Sequence, residues 1–334
     1  MPGSIAINDL LSAYRAYDFG ARPGNWDAGP KINQCIDQAV AFSLGEAVVH
    51  LDPGVYHIGT AISVPSNVTL EGAGRSTVLR LLTDAGADVI RSVSTSGVRI
   101  RNLRIDGNRA NNSSGNQIGV YLSDVADAWI ENVEVISCRA DGFQLNQCNR
   151  VELRGCRASD NGRHGISLNA TEFCLLFACR SFSNSQTTSG AADGFNLDVL
   201  SHDNVVIAPL AYDSALAGSF QAYGVRELSA GGCYRNLVIG NPQGNQTAAF
   251  LTEPDSMALG HVYTMSQMGV GTASPNAAAL LDLTSTRQGV LIPRLTTAQR
   301  DGIASPPAGL MIYNTTTNKI NLRAASAWEA VTSA

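Results

Sequence analysis

Asp141, His164 and Asp193 are the side chains best placed to move protons, because they recur at one position of an internal repeat. Each stands immediately before a repeated glycine. The glycines of Gly119-Val120-Tyr121-Leu122, Gly142-Phe143-Gln144-Leu145 and Gly165-Ile166-Ser167-Leu168 fall 23 residues apart, and Gly194-Phe195-Asn196-Leu197 and Gly224-Val225-Arg226 follow at spacings of 29 and 30. If the repeats stack as parallel strands, equivalent side chains lie about 4.8 Å apart, which puts the two carboxylates about 9–10 Å from each other. That is the wide end of the separation that leaves room for water in an inverting sugar hydrolysis. Between them, His164 could serve as acid, base or sugar ligand. Asp198, one residue past the repeated leucine, should face outward and is a second acid candidate. A plainer reading stands beside this one. Asp and Asn favour chain corners because their side chains bond the turn backbone and they tolerate left-handed conformations.

Two residues past each glycine, Tyr121, Gln144, Ser167, Asn196 and Arg226 form an outward stripe. Such a stripe can hydrogen-bond an extended glycan, or can be an ordinary wetted face. Trp129 is a further ligand-binding candidate. The 23-residue register places Phe173 and Phe177 either side of it, on the same strand face. No phosphate-cradling loop, nucleophile elbow or metal-ligand spacing is present, so neither a cofactor nor a metal is implied.

The elements that position these residues follow from the same period. Apolar residues alternate in Val120/Leu122, Phe143/Leu145 and Val133/Val135, the period-2 signature of short half-buried strands. A unit of three short strands with polar corners cannot bury its apolar face alone and must stack on the next. The expected fold is all-β, a parallel β-helix (solenoid). Val125 aligns with Cys148, Val151 with Cys174, and Val133 with Cys156 and Cys179. Four of the seven cysteines thus stand where other coils place valine, as small core hydrophobes. Gly29 to Ala41 carries Ile32, Cys35, Ile36, Ala39 and Val40 at helical spacing, so an N-terminal capping helix is expected. Register is lost from about Ala248. The divisions read as 1–45 for the N-terminal segment and capping helix, 46–247 for the β-helix, 248–267 for a linker, and 268–334 for a small β-rich module.

At Tyr17-Asp18-Phe19-Gly20-Ala21, Leu51-Asp52-Pro53-Gly54-Val55-Tyr56 and Val68 to Leu79 (VTLEGAGRSTVL), the chain resembles pectate-lyase-like right-handed β-helices. The likeness covers roughly residues 17–245. It departs where an Asp-rich segment would follow, since only Asp27 is kept. Asp193-Gly194 and Arg163-His164-Gly165 are partial echoes of polygalacturonase motifs whose other acidic residues are missing here. The resemblance implies the fold and leaves the chemistry open among lyases, hydrolases, epimerases and adhesins.

Gly269, Gly271, Thr272, Pro275, Pro293, Arg294, Thr296, Gln299, Arg300, Pro306, Gly309, Leu310, Tyr313, Asn314, Thr315 and Trp328 match the pattern of a C-terminal module common in phage tail and fibre proteins. That resemblance implies a phage tailspike or fibre, a homotrimer, contacts with other virion proteins, and a place on the virion acting at the host cell surface. A thin module of this length gains from burial against copies of itself.

A net charge of −5, with 15% charged residues, gives no basic field for nucleic acid. No stretch approaches the roughly 18 apolar residues of a membrane span, and the first residues carry no recognisable signal peptide. Three readings remain. The first is a spike that binds a bacterial surface polysaccharide, with depolymerisation by hydrolysis or lysis left open. The others are a free polysaccharide lyase, hydrolase or epimerase, and a purely structural fibre.

Overall fold

The computed structural model describes residues 14–331 apart from 44, 214–220, 229–231, 241–247, 252–256, 260–267, 273–275, 277 and 280. The first thirteen residues of the expected N-terminal segment, and part of the expected linker, lie outside the described residues. Two compact units divide at residue 282.

The first unit is a right-handed parallel β-helix whose coils contribute to three strand columns. The first column runs through Ile90–Ser96, Val120–Ser123, Phe143–Asn146, Ile166–Asn169, Phe195–Asp198 and Tyr223–Glu227. The second includes Asn149–Arg154, Leu175–Phe177, Val205–Ile207 and Leu237–Ile239. The third includes Thr77–Leu81, Arg157–Ser159, Arg180–Phe182 and Leu210–Tyr212. The single strand Val120–Ile136 serves all three. The ladder also continues past residue 247. Ala248–Leu251 pairs with the first column and Met257–Leu259 with the second, so the stretch expected as a linker adds strands to the solenoid.

Alternation does the burying. Phe143, Leu145, Ile166, Leu168, Phe195 and Leu197 point inward and are fully buried, while the residues between them face out. All seven cysteines are free and buried. Helix α1 (Gly29–Phe42) caps the solenoid with Ile32, Cys35, Ile36 and Ala39 against the core. The surviving Asp27 anchors it: its carboxylate accepts from the Gly29 and Gly59 amides and from the Thr60 hydroxyl at 3.0, 2.8 and 2.7 Å. No helix among the described residues is long and apolar enough to cross a membrane.

The repeated glycine has a steric cause. A Cβ at Gly119, Gly142, Gly165 or Gly194 would stand 2.6 to 2.8 Å from the carbonyl oxygen of the next glycine in the column. The coils approach too closely there for any side chain. At the corner between the second and third columns, Asn102, Asn132, Gly155, Ala178 and Ala208 all have φ between 51° and 60°. These five coils each make that corner with one left-handed residue, and side-chain identity varies because each is held by the stack.

The second unit carries a four-stranded sheet, Arg294–Leu295, Met311–Asn314, Lys319–Arg323 and Trp328–Ala330. A short helix, Thr297–Asp301, begins with a capping box: Thr296 accepts from the Gln299 amide, and Gln299 accepts from that of Thr296. Arg300 donates to Asn321 at 2.8 Å and lies over Trp328, and Asn321 also accepts from the buried Asn314. These contacts explain why Thr, Gln, Arg, Asn and Trp recur at those places in the module.

Candidate functional site

The expected outer stripe exists in register. Tyr121, Gln144, Ser167, Asn196 and Arg226 are consecutive partners along the first column. Tyr121, Gln144, Ser167 and Asn196, with Asp141, His164 and Asp198, line a groove of about 520 Å³. Side-chain amides organise it: Asn169 donates to Asn146, and Asn146 to the Tyr121 hydroxyl, at 2.9 and 3.1 Å. Gln144 Oε1 and Asn196 Oδ1 are buried and accept no hydrogen bond. A buried acceptor left unpaired costs about 1–3 kcal/mol, so both atoms favour an incoming donor. Trp129 is not part of this groove. It sits on the second column with Arg99 over its ring, and Phe173 and Phe177, two coils further on, are likewise exposed.

The corner row also forms, and its side chains brace the stack. Asp141 Oδ1 accepts from the His164 amide at 2.9 Å, His164 Nδ1 from the Asp193 amide at 3.0 Å, and Asp193 Oδ1 from the Tyr223 amide at 3.2 Å. Asp88, one further member absent from the sequence reading, does the same for Ile118 at 3.0 Å. Its coil carries a longer connection to the next, which hides the 23-residue spacing. The plainer reading of the corner aspartates therefore describes their bonds. Asp198 accepts from the Val199 amide and faces the groove.

Burial dominates the electrostatics of this row. It pushes Asp141 up to about 6, against the pull of Arg163 and the His164 amide, and Asp193 up to about 6, against Arg226 and the Tyr223 amide. Burial, with Arg163 and Arg226 nearby, lowers His164 to about 3. His164 Nδ1 stands 3.5 Å from Asp193 Oδ2, but the imidazole is neutral and Nδ1 already accepts an amide, so this is no ion pair. Nε2 carries the hydrogen. Asp193 Oδ2 accepts no hydrogen bond, and Arg226 Nη1 is 3.6 Å away. Asp193 thus lies beneath the stripe while Asp141 and His164 open onto it. No cluster of His, Cys, Asp or Glu among the described residues is arranged to hold a metal.

These values fix a sign. His164 has a folded pKa below its unfolded value of about 6.5, so the unfolded chain binds the extra proton and stability falls as pH drops from 6.5 towards 3. Asp141 and Asp193 work oppositely, their contribution being present below about 4 and lost as pH rises through about 6. His164→Gln should remove only the first effect. Measured against the unmodified chain in thermal melts, the variant is expected to gain up to about 1.4 kcal/mol per pH unit between pH 6.5 and 4.5. A difference that stays flat with pH would show that His164 titrates normally.

Two family models match: residues 60–225 fit one described as right handed beta helix region, and residues 269–334 one described as phage tail like trimerisation region. Mannuronan C5-epimerase AlgE6 of Azotobacter vinelandii is 28% identical over 217 residues, 58% of this chain and 24% of that protein. The chain therefore spans about a quarter of the length of this curated relative. The A-module of the mannuronan C-5 epimerase AlgE4 from the same organism superposes with a TM-score of 0.55 at 25% identity, over 71% of this chain and 69% of the module. The ORF18 protein of Geobacillus virus E2 shares the fold at 16% identity, with a TM-score of 0.56 over 96% of this chain and 86% of that one. The class defined is a right-handed parallel β-helix joined to a phage-tail-like trimerisation region. Both matches are consistent with a phage-tail-like β-helix protein.

Proposed function

We propose that this chain is a trimeric virion fibre or spike that binds a bacterial surface polysaccharide in the first-column groove. One observation carries the reading. A polar groove crosses four coils and presents two buried acceptors, Gln144 Oε1 and Asn196 Oδ1, that the protein leaves unpaired. A run of sugar hydroxyls in an extended chain satisfies acceptors spaced at coil intervals, which a compact ligand does not. Ser167 lies between the two in register and adds a hydroxyl to the same row. The phage-tail-like C-terminal region supports the virion setting and contact with other virion proteins.

The test is glycan binding by the full chain to capsular and lipopolysaccharide preparations, compared with a Gln144→Ala/Asn196→Ala double variant. The expected loss is at least tenfold in affinity, about 1.4 kcal/mol. Equal binding by the variant would refute the groove, and no binding to any preparation would favour a purely structural fibre.

Cleavage is the second reading, favoured by Asp141. Held up at about 6, it keeps a proton at mildly acidic pH, as a general acid requires, while Asp198, the second acid candidate, faces the same groove. Here His164, as a neutral imidazole, is a hydrogen-bond donor to the sugar. Reducing ends that appear with the unmodified chain and vanish in Asp141→Asn would support it.

A further inference from the structure

We propose that the third strand column carries a second ligand site, an arginine cradle that takes the anionic substituents of an acidic polysaccharide. The outward position of successive coils there reads Arg104, Glu134, Arg157 and Arg180. Arg75 reaches in from the turn at Gly74–Ser76. Arg75, Glu134, Arg157 and Arg180 line a groove of about 410 Å³.

The cations outnumber what the protein supplies to neutralise them. Glu134 has only 7% of its side chain exposed, and Arg75 engages both of its oxygens, Nε and Nη2 each donating at 2.9 Å. Arg104 Nε and Arg157 Nε stand 3.4 and 3.3 Å from the same carboxylate, yet both are buried without a hydrogen-bond acceptor. Arg180 has no side-chain partner among the described residues. Three guanidinium groups therefore share one carboxylate and a fourth, Arg180, has none, in a chain whose net charge is −5. Arg157 and Arg180 are direct partners on adjacent coils, about 4.8 Å apart at the backbone, with no carboxylate between them. Like charges so placed repel unless an anion bridges them.

The cradle is also held ready. Arg157 lies over the Phe182 ring at 4.4 Å, and Phe182 stacks on Tyr212 at 4.9 Å with planes 8° apart. A guanidinium fixed in this way loses little freedom on binding and offers a planar fork suited to a carboxylate or a sulfate. The site is on a different strand column from the Gln144 groove, and rests on the glycan reading only for the kind of polymer bound.

The test uses the full chain with three probes: polygalacturonate, a sulfated polysaccharide, and carboxyl-reduced polygalacturonate as the neutral control. Binding is followed by calorimetry at low and physiological salt. Arg180→Gln is the chosen variant because, lacking an internal partner, Arg180 can be changed without lowering the melting temperature. It is expected to weaken binding of at least one anionic polymer by tenfold or more, to flatten the salt dependence, and to leave the neutral control unaffected. Which polymer responds identifies the substituent. Unchanged binding of both anionic polymers by the variant, or failure of the unmodified chain to bind either, overturns the cradle. A fall in solution mass in Arg180→Gln would make this face a contact between copies and overturns it too. The Gln144→Ala/Asn196→Ala variant reads the first groove separately, so the two sites can fail independently.

Discussion

Leu291→Asp is expected to convert the proposed trimer, three times the 35.1 kDa chain, into a monomer at micromolar concentration. The reason is the poverty of the second unit's own core. Among its described residues Ile312 is the one buried apolar side chain, while Leu291 is 87% exposed and Val290, Met311, Ile320, Leu322 and Val331 are exposed with it. Left in water, that surface forgoes about 25 cal/mol for each Å² that association would cover. Residues 269–334 match a trimerisation region, which suggests three copies as the cover. Light scattering of the unmodified chain and the variant decides the matter. A monomeric unmodified chain would sink the expectation, and a trimeric Leu291→Asp would move the contact elsewhere on the unit.

Gly142→Ala should be clearly destabilising. Its Cβ would meet the Gly165 carbonyl oxygen at 2.7 Å and the Asn161 side-chain nitrogen at 2.8 Å. Neither is the loose end of a flexible chain: one is backbone, and the other donates within a buried amide ladder to Asn184. Overpacking of this kind costs about 1–3 kcal/mol. Because the carbonyl belongs to the next coil, the displacement would propagate along the column. Gly45→Ala is the control, since nothing lies within 4 Å of its added carbon. Thermal melts should show a marked fall for the first and no more than a small change for the second. Equal melting temperatures would mean that the coils can separate to admit a methyl group.

The fold was legible because a constant period converts directly into stacking partners. Tyr121, Gln144, Ser167, Asn196 and Arg226 are neighbours along the ladder as the glycine spacing requires, even across the lengthened coils. Ala248–Leu251 and Met257–Leu259 are not legible as strands because they pair in coils whose length no longer keeps the period. At the site, positions were readable and roles were not. Spacing places Asp141, His164 and Asp193 in one row, but it cannot say that each accepts an amide from the following coil. The arginine cluster is not legible in the sequence for a related reason. Arg75 and Glu134 are 59 residues apart, and their pairing depends on a side chain reaching across coils from a turn.

The cysteine ladder gives the protein an unusual chemical character. Burial holds Cys35 and Cys174 up at about 12 and Cys148 and Cys233 at about 11, so at neutral pH almost no thiolate exists to be attacked. Oxidants and alkylating reagents act on the thiolate and need access to it. Folded, the chain carries seven thiols and offers reagents almost none, so a single cysteine introduced on its surface would be a uniquely addressable handle.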